Sequence, residues 1–214
     1  PEVPTRASQG LPEHGTVFCC FNNHHKITPE VFALWMDILG DVPDSVLWLY
    51  VRHGRAREHL RTEALRRGVA PQRLVFASTL PQPQHLARYP LADLFLDTLP
   101  YNAHTTASDA LWMGVPVLTQ RGHAFAGRVA ASLLQAVDLP ELVTDSAEAY
   151  RDLAVALARQ PERLKQLREH LLSQRARLPL FDTPRLARAL ERAYTQMHAT
   201  QRAGGAPQAF DVGD

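Results

Sequence analysis

The stretch LADLFLDTLPYNAHTTASDALWMGVPVLT, residues 91–119, carries a whole folding unit in linear order. LADLFLDT (91–98) is an apolar run of strand length, a helix is expected from about Thr105 to Met113 with Gly114 as its stop, and VPVLT (115–119) is a second apolar run. A strand, a helix and a strand in succession predict a right-handed crossover in a parallel sheet. Toward the amino terminus the alternation continues. TVFCCF (16–21) is continuously apolar, the pattern of a central strand buried on both faces. Thr28 and Pro29 supply a cap and a first-turn proline, and Val31, Leu34, Trp35 and Ile38 then recur at helical spacing up to the Pro43 turn. SVLWLYV (45–51) and RLVFAS (73–78) are further strands, separated by a charged helix over 55–67 that Gly68 ends.

Toward the carboxyl terminus we expect a helix from Phe125 to about Ala136 and a short strand ELVT (141–144). Residues 146–198 show no further strand signal and predict three amphipathic helices, broken near Pro161 and by PLFDTP (179–184), packed across the sheet. The ending QRAGGAPQAFDVGD is polar and bears Gly and Pro, as a frayed tail does. The fold class is therefore α/β: a Rossmann-like parallel sheet with helices on both faces and additional C-terminal helices. The expected organisation is a lead-in over 1–14, the sheet lobe over 15–145, C-terminal helices over 146–199 and a tail over 200–214, with no internal repeat.

Composition narrows the function classes. With 214 residues, 45% hydrophobic and 21% charged, the chain can bury a sizeable core without disulfide or metal support. The 23 basic residues nearly cancel 22 acidic ones, and no long basic stripe is present, which argues against nucleic acid as a partner. No run reaches the ~18 apolar residues of a membrane helix and the start lacks a secretory signal, so no membrane partner and a cytoplasmic location are expected. Cys19 and Cys20 are adjacent in an apolar run and read as small buried hydrophobes in a reducing compartment. Twenty-one arginines against Lys26 and Lys165 fit the codon bias of a GC-rich bacterial genome, and an opening on Pro1 fits a piece of a longer polypeptide.

In an open parallel sheet, ligands bind beyond the carboxyl ends of the strands. The loops there are FNNHHK (21–26), LPQPQHLAR (80–88) and PYNAHTTASD (100–109), three polar segments converging on one rim. Thr105 and Thr106 open a helix whose unpaired N–H groups and positive dipole end can hold an anion, and two hydroxyls beside them suit a diphosphate. The plainer alternative is that Thr105 only caps the helix. Asp109, one turn in, can accept from ribose hydroxyls or be an ordinary first-turn acid. Lys26 can neutralise charge building on a departing diphosphate. At about 4 Å and an effective dielectric near 20 that attraction reaches ~4 kcal/mol, against ~0.3–2 kcal/mol for a helix dipole. A solvated surface lysine is its alternative. His85 and Arg88, three apart on a short helix, can form a stacking platform for a nucleobase or be surface decoration. The ten histidines do not group at metal-ligand spacing, and CxxC, HExxH, DxD, GxGxxG, GxxxxGK[ST] and GxSxG are all absent, so no metal and no cofactor are expected.

FNNHHKITPEV, SVLWL, LPQPQHLAR, LADLFLDT, HTTASDALWMGVPVLT, GRVAASLL and PLFDT, in this order and spacing, closely resemble the C-terminal catalytic lobe of the O-linked N-acetylglucosamine transferases, glycosyltransferase family 41. The likeness runs from about Leu11 to His198. HTTxxDxLWxGxP and RVAASLL are specific to that family, whereas the alternation of strands and helices is widely shared. The resemblance implies the C-terminal lobe of a GT-B glycosyltransferase of bacterial origin, inverting and metal-independent, moving N-acetylglucosamine from UDP-GlcNAc to serine or threonine hydroxyls of an acceptor protein. It also implies partners within the same polypeptide: an N-terminal catalytic lobe and tetratricopeptide repeats. By motif position His85 would stack on uracil, the Leu80 backbone would read the base edge and Arg88 would support that pocket. Gln82 and Asp109 would hold the ribose. Asn23 and Lys26 would bind the diphosphate, Lys26 stabilising its departure, with His104 at the donor sugar and phosphate and Thr105 and Thr106 gripping the diphosphate. Asn23 and Gln82 stand where animal members have glutamine and lysine, which keeps open a branch that glycosylates protein asparagine with UDP-glucose. A non-catalytic nucleotide-sugar-binding module and a UDP-N-acetylglucosamine epimerase are the other readings. No residue of these segments is a convincing general base.

Overall fold

The computed structural model describes residues 3–212, so residues 1 and 2 of the expected lead-in and 213 and 214 of the expected tail lie outside the described residues. Six strands form one parallel sheet: β1 (Thr16–Cys20), β2 (Ser45–Leu49), β3 (Leu74–Phe76), β4 (Leu94–Leu96), β5 (Val117–Gln120) and β6 (Val143–Thr144). Their order is β3-β2-β1-β4-β5-β6. β1 pairs on one side with β2 in the register Phe18 to Leu47, and on the other with β4 in the register Phe18 to Leu94. The chain order therefore reverses between β1 and β4, which makes the crevice above those two strands the switch point of the sheet. Cys19, Cys20, Trp48, Phe95 and Leu118 are all buried, as strands covered on both faces require. Both cysteines are free thiols, and burial pushes each of them up.

Between the strands run α1 (Pro29–Asp41), α2 (Gly54–Arg66), α3 (Gln82–Arg88), α4 (Thr105–Trp112) and α5 (Val129–Ala136). The Thr28 hydroxyl accepts from the Val31 N–H at 3.3 Å, and Val31, Trp35 and Ile38 of α1 are buried as their spacing requires. After the sheet come α6 (Ala147–Ala158), α7 (Pro161–Gln174) and α8 (Thr183–Arg202). The breaks fall at Pro161, which opens α7, and in the 179–183 stretch, where Asp182 caps α8 by accepting from Arg185 N–H at 2.9 Å.

Several expected bounds move inward. β4 is shorter than 91–98 because Tyr89–Leu91 forms a 3-10 turn and Asp97 already belongs to the following loop. The expected helix at Phe125 begins as a 3-10 turn, Phe125–Gly127, and α5 starts only at Val129. Pro140–Leu142 likewise takes a 3-10 turn and leaves two residues of the expected ELVT strand. The chain divides into two compact units, one ending at Arg175 and the other beginning at Ala176. α6 and α7 belong to the unit that holds the sheet, whereas α8 belongs to the second unit and buries no residue.

The switch point is pinned by one carboxylate. Asp97, buried just past β4, accepts from the N–H groups of Thr98 (2.7 Å) and Ala103 (2.6 Å), from the Thr119 hydroxyl (2.7 Å) and from Asn22 Nδ2 (3.4 Å). Its own carbonyl accepts from the Tyr150 hydroxyl of α6 at 3.0 Å. Burial pushes the carboxyl up to about 7, against the downward pull of those donors. One side chain therefore ties together the ends of β1, β4 and β5 and the start of α4.

Two predictions follow from this architecture. Asp97→Ala leaves buried donors without an acceptor and should cost about 3–5 kcal/mol in urea unfolding, whereas Thr119→Val, which removes one of them, should cost about 1–2 kcal/mol. Gly15 (φ 91°), which leads into β1, would place a Cβ 2.1 Å from the Asp44 carbonyl oxygen, while Gly68 (φ 77°), past α2, has open space around it. Gly68→Ala should therefore cost only the ~1–2 kcal/mol of the left-handed conformation, and Gly15→Ala, which meets backbone, clearly more in the same assay.

Candidate nucleotide-sugar site

Three loops meet at the switch point. The first leaves β1 through Phe21 and Asn22 into a 3-10 turn, His24–Lys26, closed by Lys26 N–H donating to Asn23 C=O at 3.0 Å. Asn23 is exposed at the head of that turn and its side chain makes no cap bond there. Lys26 reaches across to the third loop, where Nζ donates to the Asn102 carbonyl at 2.8 Å and lies 3.7 Å from the centroid of the Tyr101 ring. Desolvation lowers the Lys26 amine and the nearby Asp97 carboxylate raises it, the first effect being larger. Lys26 is thus half-buried and anchored rather than a solvated surface lysine.

The third loop runs from Asp97 to α4 and includes a cis Leu99–Pro100 bond. It is held at Asn102, whose N–H donates to Ala126 C=O at 2.8 Å and whose Nδ2 donates to Thr98 C=O at 2.8 Å. The cap position of α4 is His104, not Thr105, and no side-chain bond closes that end of the helix. The reading of Thr105 as a simple cap is therefore replaced: Thr105 is the first helical residue, exposed, beside uncapped N–H groups. The Thr106 hydroxyl differs from expectation as well. It donates to Asn22 Oδ1, so its proton is used to join the first loop to the third, and what Thr106 can offer an anion is its N–H. His104 is half-buried, its ring 5.1 Å from Tyr101 and 6.3 Å from Phe125, with Nε2 3.4 Å from Ala126 C=O.

The second loop carries the base side. Leu80 is half-buried just before α3, and Gln82, the first residue of α3, is exposed. Arg88 is not surface decoration: it is 0% exposed, with Nη1 donating to Ser78 C=O at 2.7 Å and Nη2 to His85 Nδ1 at 2.5 Å. Its guanidinium lies 4.9 Å from Phe21 and 5.7 Å from Trp48. Burial first, then the Arg88 charge, push the His85 imidazole down to about 4, so the ring is neutral, accepts at Nδ1 and keeps Nε2–H as a donor. Phe21 and Tyr89 flank it at 5.3 and 5.2 Å, with Tyr50 at 6.5 Å. The Tyr89 hydroxyl donates to Thr106 C=O at 3.3 Å, which couples the aromatic platform to α4. Asp109, on the next turn of α4, is half-buried and burial raises its carboxyl.

The arrangement can seat a flat aromatic ring at His85 and an anion at the head of α4 beside Lys26. Sequence reasoning missed Asn22, Asp97, Asn102, Tyr89 and Tyr101. The available signal was a polar residue directly after an apolar strand, as in CCFN and LFLD. Among the described residues no group of three or more His, Cys, Asp or Glu could hold a metal ion, and no helix is long and apolar enough to cross a membrane.

Similar proteins are known both in sequence and in structure. The chain is 40% identical over 210 residues to the "Probable UDP-N-acetylglucosamine-peptide N-acetylglucosaminyltransferase SEC" of Arabidopsis thaliana, covering 98% of this chain and 22% of that protein. A UDP-N-acetylglucosamine-peptide N-acetylglucosaminyltransferase of Caenorhabditis elegans is 36% identical over 202 residues, 94% of this chain and 18% of its own length. The structure of a point variant of the Thermobaculum terrenum O-GlcNAc transferase superposes with a TM-score of 0.83 at 40% identity, over 88% of this chain and 37% of the other. The chain thus spans about a fifth of the length of these curated relatives. The family model "Glycosyl transferase family 41" matches residues 2–190, and with an α/β lobe of the expected GT-B kind the chain belongs to glycosyltransferase family 41.

Proposed function

We propose that this chain is the donor-binding lobe of an inverting, metal-independent glycosyltransferase that moves N-acetylglucosamine from UDP-GlcNAc to serine or threonine hydroxyls of proteins. The observation that carries the reading is the Lys26 ammonium fixed 2.8 Å from the Asn102 carbonyl, two residues before the uncapped head of α4. A cation and open helix N–H groups on one rim are complementary to a diphosphate that gains charge as it leaves. The names of the relatives, which act on UDP-N-acetylglucosamine and peptide, support the donor and the acceptor class.

In this mechanism uracil stacks on His85, with Leu80 at the base edge and Arg88 fixing the imidazole through Nδ1. Gln82 and Asp109 take the ribose. Asn23, Lys26, Thr105 and the Thr106 N–H take the diphosphate, and His104 faces the donor sugar. The acceptor oxygen bonds to the anomeric carbon as the bond from that carbon to the phosphate oxygen breaks. UDP leaves with the electron pair and the hydroxyl proton passes to a base outside this chain, in an N-terminal lobe of the same polypeptide. Lys26 and the head of α4 stabilise the charge on the departing UDP, the role a metal fills in other transferases.

In the polypeptide that carries this chain, Lys26→Ala should lower turnover with UDP-GlcNAc and an acceptor peptide by about 10²–10³. Turnover should be unchanged by EDTA, and near-normal turnover in the variant would remove Lys26 from the mechanism. A protein that binds UDP but transfers nothing in this assay would instead be a nucleotide-sugar-binding module. Because His85 stays neutral down to about pH 4, its contribution to uridine affinity, the difference by calorimetry between the parent and His85→Ala, should be constant from about pH 5.5 to 8 and change only toward pH 4. His85→Ala should weaken uridine at every pH in that range, and unchanged affinity would sink the stacking role.

A further inference from the structure

Lys26 is held in an unusual way for a cation at an anion site. Its Nζ meets a carbonyl, Asn102 O at 2.8 Å, and an aromatic face, Tyr101 at 3.7 Å. Neither partner is an anion. The ionisable groups that act on it are the buried Asp97 carboxyl and the buried Cys20 thiol, and Asp97 already accepts from Thr98, Ala103, Thr119 and Asn22. An ammonium has three N–H bonds. With one on the carbonyl and the ring covering another side, one remains to point away from the loop. The ring itself is fixed. The Tyr101 carbonyl accepts from the Thr98 hydroxyl at 2.7 Å, the Asn102 N–H is tied to Ala126, and the His104 ring lies 5.1 Å from the Tyr101 ring. Tyr101 is nevertheless 44% exposed, so its side chain can be changed without opening the core.

We infer that Tyr101 is the positioning residue for Lys26, its ring face holding the ammonium at the head of α4 without neutralising it. This rests on the reading of Lys26 as the diphosphate-binding cation. The choice of an aromatic ring has a physical reason. A carboxylate in the same place would hold the amine more firmly but would compete with the phosphate for it. A bare lysine would keep its charge but would lose rotamer freedom on meeting the ligand. A quadrupole attracts the cation, offers no anionic acceptor and leaves an N–H free.

Calorimetry on the polypeptide that carries this chain with UDP, and with uridine as the probe lacking phosphate, tests this. Tyr101→Leu should weaken UDP about tenfold and leave uridine unchanged, while Tyr101→Phe, which keeps the face, should stay within about twofold of the parent. In a Lys26→Ala background Tyr101→Leu should cause no additional loss. The inference is overturned if Lys26→Ala weakens UDP and Tyr101→Leu does not, if the phenylalanine variant loses as much as the leucine one, if uridine and UDP weaken equally, or if the loss persists without Lys26. Unchanged UDP affinity in Lys26→Ala alone would overturn the underlying reading of Lys26 instead.

Discussion

A buried carboxylate with four donors around it holds the working end of this lobe together. Asp97 lies where β4 stops, and its oxygens bind groups from the β1 loop, from β5 and from the segment entering α4. Charge in a dry interior is costly unless hydrogen bonds satisfy it, so this arrangement tolerates little displacement of any partner. The Asn22–Thr106 and Lys26–Asn102 bonds extend the same constraint outward to the ligand rim. Precision at the rim is thus a consequence of polar satisfaction beneath it.

Above that base the site uses cations without anionic partners. Arg88 is buried against two aromatic rings, a carbonyl and an imidazole, and Lys26 rests on a ring and a carbonyl. Salt bridges among the described residues fall elsewhere, as in Arg6–Asp93, Arg121–Asp145 and Arg151–Asp41. The distinction matters because a cation already matched by a carboxylate offers a ligand phosphate little net attraction. Arg88 serves differently from Lys26: its proton on His85 Nδ1 fixes the tautomer of the imidazole, and the fixed ring is what a base can stack on.

Much of the fold was legible because its signals are local. Thr28 and Pro29 at the head of α1, Pro161 at the head of α7, and Gly68 and Gly114 after α2 and α4 act on the backbone within a turn of where they stand. Bounds moved at Tyr89–Leu91, Phe125–Gly127 and Pro140–Leu142, where the chain takes a 3-10 turn at the edge of the expected element. In the candidate site, Lys26, His85, Arg88 and the Thr105–Thr106 pair stood out in their loops by residue type. What those side chains touch did not. Asn22 and Thr106 are 84 residues apart and Lys26 and Asn102 are 76, so their contacts exist only because β1 and β4 are neighbours.

Apolar runs, helical spacing and terminal caps were enough to specify alternating strands and helices, the parallel class of the sheet and the three polar loops at its carboxyl rim, since each depends on short-range sterics and solvent exposure. Strand order, the buried partners of Asp97, the use of the Thr106 hydroxyl as a brace and the ring beneath Lys26 came from the assembled molecule. They depend on which distant segments the core brings side by side, and that is set by packing of the whole chain rather than by any window of it.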